Sequence, residues 1–363
     1  MHLIGLDANC RKEGGHGLFM SVLGSRSLGA VRRTAVDLSA FNPIRETLLD
    51  EDQPLPLIIE PSLKELDFAE WLRANHEFIE EKIALHGGIL FRGFGLNTPQ
   101  EFERAAAVIC GDLFSEYGDL PREDVAGKVY TSTPYPQDKS ILYHNESSHL
   151  SSWPGKINFF CITAATQGGA TPIVDCRKVY QGLNPVVRQK FAELGLLYVR
   201  NFCEGLDVSW QRFFGTEDRA AVEQLCGARG MLCEWTRSGD LRVKQRCRAV
   251  LRHPKTGEMS FFNQAQLHHI HCLDPEVRQS LLSMFRPEDL PRHVYYGDGS
   301  TIEDDVMDHI GETYEKYAVR FQWRQGDMIT LDNMLTAHAR DPYLGPRKIV
   351  VALGNMTDSL ASL

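Results

Sequence analysis

Tyr143-His144-Asn145-Glu146 carries two metal-binding side chains two residues apart. On an extended chain residues i and i+2 project from the same face, so His144 and Glu146 can grip one ion together while Asn145 points away. Two ligands make a weak site, and a third has to come from elsewhere. The late segment Asp332-Asn333-Met334-Leu335-Thr336-Ala337-His338-Ala339-Arg340 offers His338 just beyond a strand-like run. Two histidines and one carboxylate would form a facial triad, leaving three adjacent positions open on an octahedral ion such as Fe(II). A bidentate co-substrate and dioxygen fit side by side in those positions. A His-x-Glu tripeptide also arises by chance, and on spacing alone a hydrogen-bonded core histidine remains the alternative.

The rest of the chain narrows the choice. Its 363 residues are 43% hydrophobic and 9% aromatic, enough for a sizeable core, which argues against a disordered chain or a small disulfide-stapled scaffold. Forty-eight acidic against 39 basic residues give a formal charge of -9, so a phosphate backbone would meet net repulsion and nucleic-acid binding is not expected. No run of eighteen apolar residues occurs, and Met1 to Arg33 interleave charge and glycine where a signal peptide needs an unbroken apolar stretch. The expectation is a cytoplasmic protein without a membrane partner. Nine cysteines are scattered without a Cys-x-x-Cys pair and read as buried free thiols.

The first forty-odd residues lack a sustained period, so residues 1–53 read as a partly disordered extension and 54–363 as one domain. Leu66, Phe68, Trp71, Leu72, Phe78 and Ile79 have the spacing of an amphipathic helix over Leu63 to Leu85, stopped by Gly87-Gly88 before a buried strand at Ile89-Leu90-Phe91. Thr98-Pro99-Gln100-Glu101 predicts a capped helix to about Cys110. Asn184-Pro185 and Asp274-Pro275 repeat the signal ahead of surface helices over Val186 to Leu194 and Glu276 to Phe285. Strand-like pieces follow at Lys156 to Ala164, Thr171 to Val174, Leu196 to Arg200, Ser260 to Phe262, Val319 to Trp323, Met328 to Leu331 and Lys348 to Leu353. No repeat or linker divides the middle, which favours a β core with added helices.

Six motifs carry a resemblance in the same order as in a known family. They are His86-Gly87-Gly88-Ile89-Leu90-Phe91-Arg92-Gly93-Phe94, His144-Asn145-Glu146, Gly168-Gly169-Ala170-Thr171-Pro172-Ile173-Val174-Asp175, His253-Pro254-Lys255-Thr256-Gly257-Glu258, Phe262-Asn263-Gln264, and Asp332-Asn333 through His338-Ala339-Arg340 to Gly345-Pro346-Arg347-Lys348. From about Pro54 to Asn355 the chain resembles the TauD/TfdA-like Fe(II)- and 2-oxoglutarate-dependent dioxygenases. Within them it is most similar to the aspartyl β-hydroxylases of the syringomycin-pathway type, found in nonribosomal peptide biosynthesis. The resemblance implies an α+β fold with a double-stranded β-helix (jelly roll) core and helical insertions. It implies that His144, Glu146 and His338 are the catalytic iron ligands, and that Thr171 and Arg347 hold the distal carboxylate of 2-oxoglutarate. A guanidinium fork suits a carboxylate with two parallel hydrogen bonds, and a threonine hydroxyl adds a third. The implied reaction couples decarboxylation of 2-oxoglutarate by dioxygen to hydroxylation of a C–H bond. Related halogenases replace the carboxylate ligand with a small residue so that chloride can bind, so an intact Glu146 argues for hydroxylation.

Two positions depart from the branch: His149 stands where an aromatic is usual, and Ala339 where glycine is usual. The first bears on substrate preference. His149, Asn263, Arg340 and Arg242 are therefore the candidate substrate-binding residues. Asn263 could instead cap a turn, and Arg340 could instead make a structural salt bridge. His268, His269 and His271 cluster without a carboxylate at matching spacing and read as packing or pocket lining. Arg242, Lys244, Arg246 and Arg248 alternate with Val243, Gln245 and Cys247, which places four cations on one face of an extended chain. Either that face is solvated and salt-bridged, or it grips an anion, a substrate carboxylate or the surface and phosphopantetheine arm of a peptidyl carrier protein. The expected substrate is an acidic amino acid on such a carrier. Rival readings are a dioxygenase or desaturase of a free small molecule, a metal-free jelly-roll binding protein and a zinc hydrolase. The full set of five site residues speaks against the binding protein, and the absence of a His-Glu-x-x-His motif against the hydrolase.

Overall fold

The computed structural model describes residues 42–63, 65–114, 124–132, 135–202, 208–236 and 239–358. The fold is mixed α/β, organised by one eight-stranded sheet in the order 44–50, 53–61, 88–91, 328–332, 152–163, 348–358, 129–131, 124–126. Neighbours are antiparallel except 53–61 with 88–91, which run parallel. Ser152–Thr163 is buried on both faces along much of its length. Phe160 packs with a helical layer containing Phe102, Ala106 and Ile109, whereas Ile157, Phe159 and Cys161 face an inner core with Ile329, Leu331 and Val351. A three-stranded sheet, 141–144, 336–340 and 173–175 in that order, brings the candidate ligands together. A four-stranded sheet of 231–235, 241–247, 196–202 and 292–296 lies farther along the chain.

The cap signals are realised where they were read. Thr98 and Glu101 exchange the two bonds of a capping box at the start of Pro99–Cys110. Asn184 and Asp274 cap Pro185–Leu194 and Pro275–Met284 through their side chains, and both helices are largely exposed. The predicted helix over Leu63 to Leu85 is two helices, Phe68–Ala74 and His76–His86, parted at Asn75. Gly87 ends the second at φ 82°, and an added Cβ there would meet the Thr336 hydroxyl at 2.7 Å.

Two readings are corrected, and one helix is added. The sheet begins at Ile44–Asp50, paired along Gln53–Pro61, so residues 44–53 belong to the domain. Only Ile44 of that edge strand is buried, which leaves no alternation to read. The remainder of the predicted extension, 1–41, lies outside the described residues. Val319 to Trp323 alternate in burial as a strand does, yet their ladder is one bridge, Val319 to Ile173. Asp304–Tyr317, a fourteen-residue helix with no side-chain cap and only an acidic first turn, Asp304-Asp305, to mark its start, was not anticipated. The seven described cysteines are free thiols. No helix among the described residues is long and apolar enough to cross a membrane.

Candidate active site

His144 is the last residue of its strand, and its antiparallel partner across the ladder is His338. The two rings lie 4.2 Å apart between centroids, tilted by 51°. Directly opposed cross-strand residues bring their side chains within contact distance, which is how two histidines 194 positions apart come to share one point. Beyond His144 the strand gives way to a turn in which Ser147 takes φ 57°, and the turn delivers Glu146 to the same point. One ligand atom from each of His144, Glu146 and His338 lies within 4.8 Å of the other two. Among the described residues this is the one group of three or more such side chains placed to hold an ion.

The cluster is held from behind. His144 Nδ1 donates to the Leu142 carbonyl at 2.8 Å, which fixes the tautomer and leaves the Nε2 lone pair for a metal. Asn333, fully buried, accepts from the Glu146 backbone N–H at 2.8 Å and donates to the Glu146 and Pro154 carbonyls at 2.9 and 2.8 Å. Asn145 turns away from the cluster and donates to the Asn333 carbonyl at 2.7 Å. Its side-chain oxygen accepts from Asn263 N–H at 3.0 Å. These two asparagines clamp the Glu146 turn to the hairpin that carries His338. Their role was not anticipated, although an amide between two ligands, aimed into the core, is a readable sign of such a clamp.

One cavity is lined by all three of these side chains and by Thr171, Arg340 and Arg347. Arg347 Nε donates to the Gly169 carbonyl at 3.0 Å and Nη2 to the Thr171 hydroxyl at 3.3 Å. Trp323 Nε1 donates to the same hydroxyl at 2.9 Å, so the Thr171 proton remains available to a further acceptor. Gly169 stands at φ 68°, where an added Cβ would lie 3.0 Å from Arg347 Cδ. No carboxylate pairs with Arg347 among the described residues. Burial, then the neighbouring Arg340 charge, pushes its pKa down to about 10. Arg340 is 7% exposed and donates to the carbonyls of Tyr135, Pro136 and Lys139, while its buried Nε has no partner. Ala339, the departure from glycine, is buried against the same cavity.

Other candidates lie elsewhere. His149 contacts Gln264 and stacks 5.2 Å from His268, lining a separate cavity with Tyr198 and Gln245. His149 lies beyond the end of the strand that carries His144. Asn263 caps a turn, its side-chain oxygen accepting from Ala265 N–H at 3.0 Å. Arg242 is tied to Asp289 at 2.7 Å and Asn201 at 2.6 Å and is not among the cavity residues, because its strand belongs to the four-stranded sheet. Within the histidine cluster, His269 Nε2 donates to the Ile302 carbonyl and Nδ1 accepts from His271 N–H. Burial and the facing His293 push its pKa down to about 4. His271 sits between Asp304, Asp308 and Arg278.

Two neutral imidazoles and a carboxylate on one face of an ion are the donor set of mononuclear non-haem Fe(II) oxygenases, and the residues present fit that metal. Residues 51–353 match the family described as Taurine catabolism dioxygenase TauD, TfdA family, and the chain belongs to it. It is an Fe(II)- and 2-oxoglutarate-dependent dioxygenase. The dapdiamide synthesis protein DdaC of Enterobacter agglomerans is 39% identical over 280 residues, covering 77% of this chain and 85% of that protein. A clavaminate synthase-like protein of Arabidopsis thaliana, At3g21360, is 26% identical over 330 residues, 86% of this chain and 97% of that one. The crystal structure of AAD-2 in complex with Mn(II) and N-oxalylglycine superposes with a TM-score of 0.50 at 16% identity, covering 87% of this chain and 98% of that one, a likeness of fold.

Proposed function

We propose that the protein hydroxylates an acidic amino acid held on a peptidyl carrier protein, with iron on His144, Glu146 and His338 and 2-oxoglutarate anchored by Thr171 and Arg347. The eight-stranded and three-stranded sheets are then the two faces of a double-stranded β-helix. When bound, the iron supplies the oxidation in which 2-oxoglutarate and dioxygen become succinate and carbon dioxide and one oxygen atom enters a substrate C–H bond. The chain's own residues do the positioning. Arg347 and the Thr171 hydroxyl would fix the far carboxylate of the keto acid, and the asparagine clamp would keep the three ligands in place against thermal drift.

The observation that carries the acidic substrate is charge. Glu146 brings one negative charge to the cavity, and Arg340 and Arg347 bring two positive ones. A bound dication and the dianion of 2-oxoglutarate cancel, which leaves one positive charge in a low-dielectric space. A substrate carboxylate near the Arg340 Nε balances it and gives that buried donor an acceptor. DdaC is named for dapdiamide synthesis, which supports a biosynthetic role. The test compares aspartate, asparagine and aspartyl-loaded carrier protein under iron, 2-oxoglutarate and oxygen, scoring a mass gain of one oxygen atom. Aspartyl carrier should be turned over fastest. Equal turnover of free aspartate would remove the carrier, and preference for asparagine would remove the acidic substrate.

A further inference from the structure

The alternating cations divide into two groups. Arg242 is paired with Asp289, and Lys244 with Glu234 at 2.7 Å. Arg246 and Arg248, and Arg252 on the next strand, Val250–Arg252, are exposed and have no carboxylate partner among the described residues. Arg246 donates to the Gly297 carbonyl and Arg252 to the Gly257 carbonyl, bonds that leave both charges uncompensated. All three line one groove of about 660 Å³, in which Glu193 is the single acidic side chain. On a chain of net charge -9 a groove with three arginines is a local inversion of sign.

Its floor is apolar. Trp153, Leu251, Phe262 and Met334 form a small cluster of their own, with the Trp153 and Phe262 rings 5.1 Å apart. Trp153 is 6% exposed and its indole N–H has no acceptor. Ser148 and Leu150, from the turn that follows Glu146, also line the groove. Pro154, next to Trp153, shares the Asn333 amide with Glu146. The groove therefore abuts the turn that carries Glu146.

We infer that this groove docks the phosphopantetheine arm of an acidic carrier protein, with Arg246, Arg248 and Arg252 on the phosphodiester and the Trp153 floor under the arm. The arm has the required sequence of groups: an anion for the arginines, then a gem-dimethyl carbon and an extended chain for the apolar floor. This inference rests on the carrier-bound substrate proposed above and names where its carrier binds.

The experiment measures binding of a peptidyl carrier protein in its holo and apo forms to the full-length enzyme by fluorescence anisotropy, beside turnover of the aspartyl-loaded form. Holo carrier should bind at least tenfold tighter than apo carrier. The reversal Arg246→Glu, Arg248→Glu, Arg252→Glu should erase that difference, while Lys244→Glu, on the same strand but outside the groove, should leave it. The three exposed positions tolerate charge, and an unchanged circular dichroism melt confirms folding. Equal binding of holo and apo carrier, or a tenfold preference that survives the triple reversal, overturns the groove assignment. If free aspartate is turned over as well as aspartyl carrier, the carrier reading itself falls; preference for the carrier with an inert groove leaves that reading standing and removes only this one.

Discussion

His144 and His338 oppose each other across a single antiparallel rung, 4.2 Å between ring centroids, so the pairing register of two short strands sets the separation of two candidate ligands. A slip of one residue would bring a neighbouring side chain to the ligand face in place of one histidine. Replacing either histidine with alanine should abolish the visible charge-transfer band that Fe(II) and 2-oxoglutarate produce together under anaerobic conditions. A band of normal intensity in His338→Ala would show that the keto acid binds iron held elsewhere.

Arg347→Gln should weaken 2-oxoglutarate while sparing iron. Truncating one partner of a buried charge pair costs about 2 to 5 kcal/mol, or roughly 30-fold to a few thousand-fold in affinity. The lowered pKa reflects the cost of burying this guanidinium without a partner anion, a partner the far carboxylate of the keto acid would supply. Iron affinity measured without the keto acid should be unchanged in the variant.

Asn333→Ala removes one acceptor and two donors to the Glu146 and Pro154 backbone. Iron affinity should drop by roughly 10- to 100-fold, the usual size of an outer-shell loss. The groups left unpaired should also lower stability by about 1 to 3 kcal/mol each. Competition with a chelator and a thermal melt separate the two. An unchanged iron affinity in a folded Asn333→Ala protein would reduce the clamp to a packing contact.

How much of this was legible follows the range of the interactions. Caps are local, so Thr98, Asn184 and Asp274 announced their helices at short distance. The Ile44–Asp50 edge strand shows no pattern because only one of its residues is buried. In the site, the pairing of His144 with Glu146 is local and could be read, whereas His338 needed a partner strand that spacing alone does not specify. The fate of the cation stripe was not readable, because Asp289 and Glu234 reach it through tertiary pairing. The orphaned Nε of Arg340 depends on three carbonyls about 200 residues earlier in the chain.

His269 should make the fold sensitive to acid. Its pKa is depressed from 6.5 to about 4 by burial, so the unfolded chain takes up a proton between those values and the folded protein does not. Stability therefore falls as pH drops from 6.5 to 4, by about 3 kcal/mol from this group. In His269→Gln the amide can donate to the Ile302 carbonyl and accept from His271 N–H without titrating. Urea midpoints measured across that window should slope less in the variant than in the wild type, and parallel slopes would assign the acid sensitivity to other groups.

Arg340→Lys separates two roles of one side chain. The arginine lines the cavity, uses its terminal nitrogens on the carbonyls of Tyr135, Pro136 and Lys139, and leaves its buried Nε without a partner. Lysine retains the charge but offers one nitrogen, which cannot serve those carbonyls and a substrate carboxylate at once. A hydrogen bond to a charged group is worth about 1.5 to 3 kcal/mol, so the Michaelis constant for an aspartyl substrate should rise by roughly 10- to 150-fold. The asparaginyl substrate has no charge to lose and should shift less than threefold. The affinity for 2-oxoglutarate should hold, because Arg347 and Thr171 are untouched. Were Arg340 only a clasp on the segment around Tyr135 to Lys139, both substrates would suffer alike, since a displaced segment does not distinguish a carboxylate from an amide. The ratio of the two Michaelis constants therefore decides whether the second cavity arginine reads the substrate's charge.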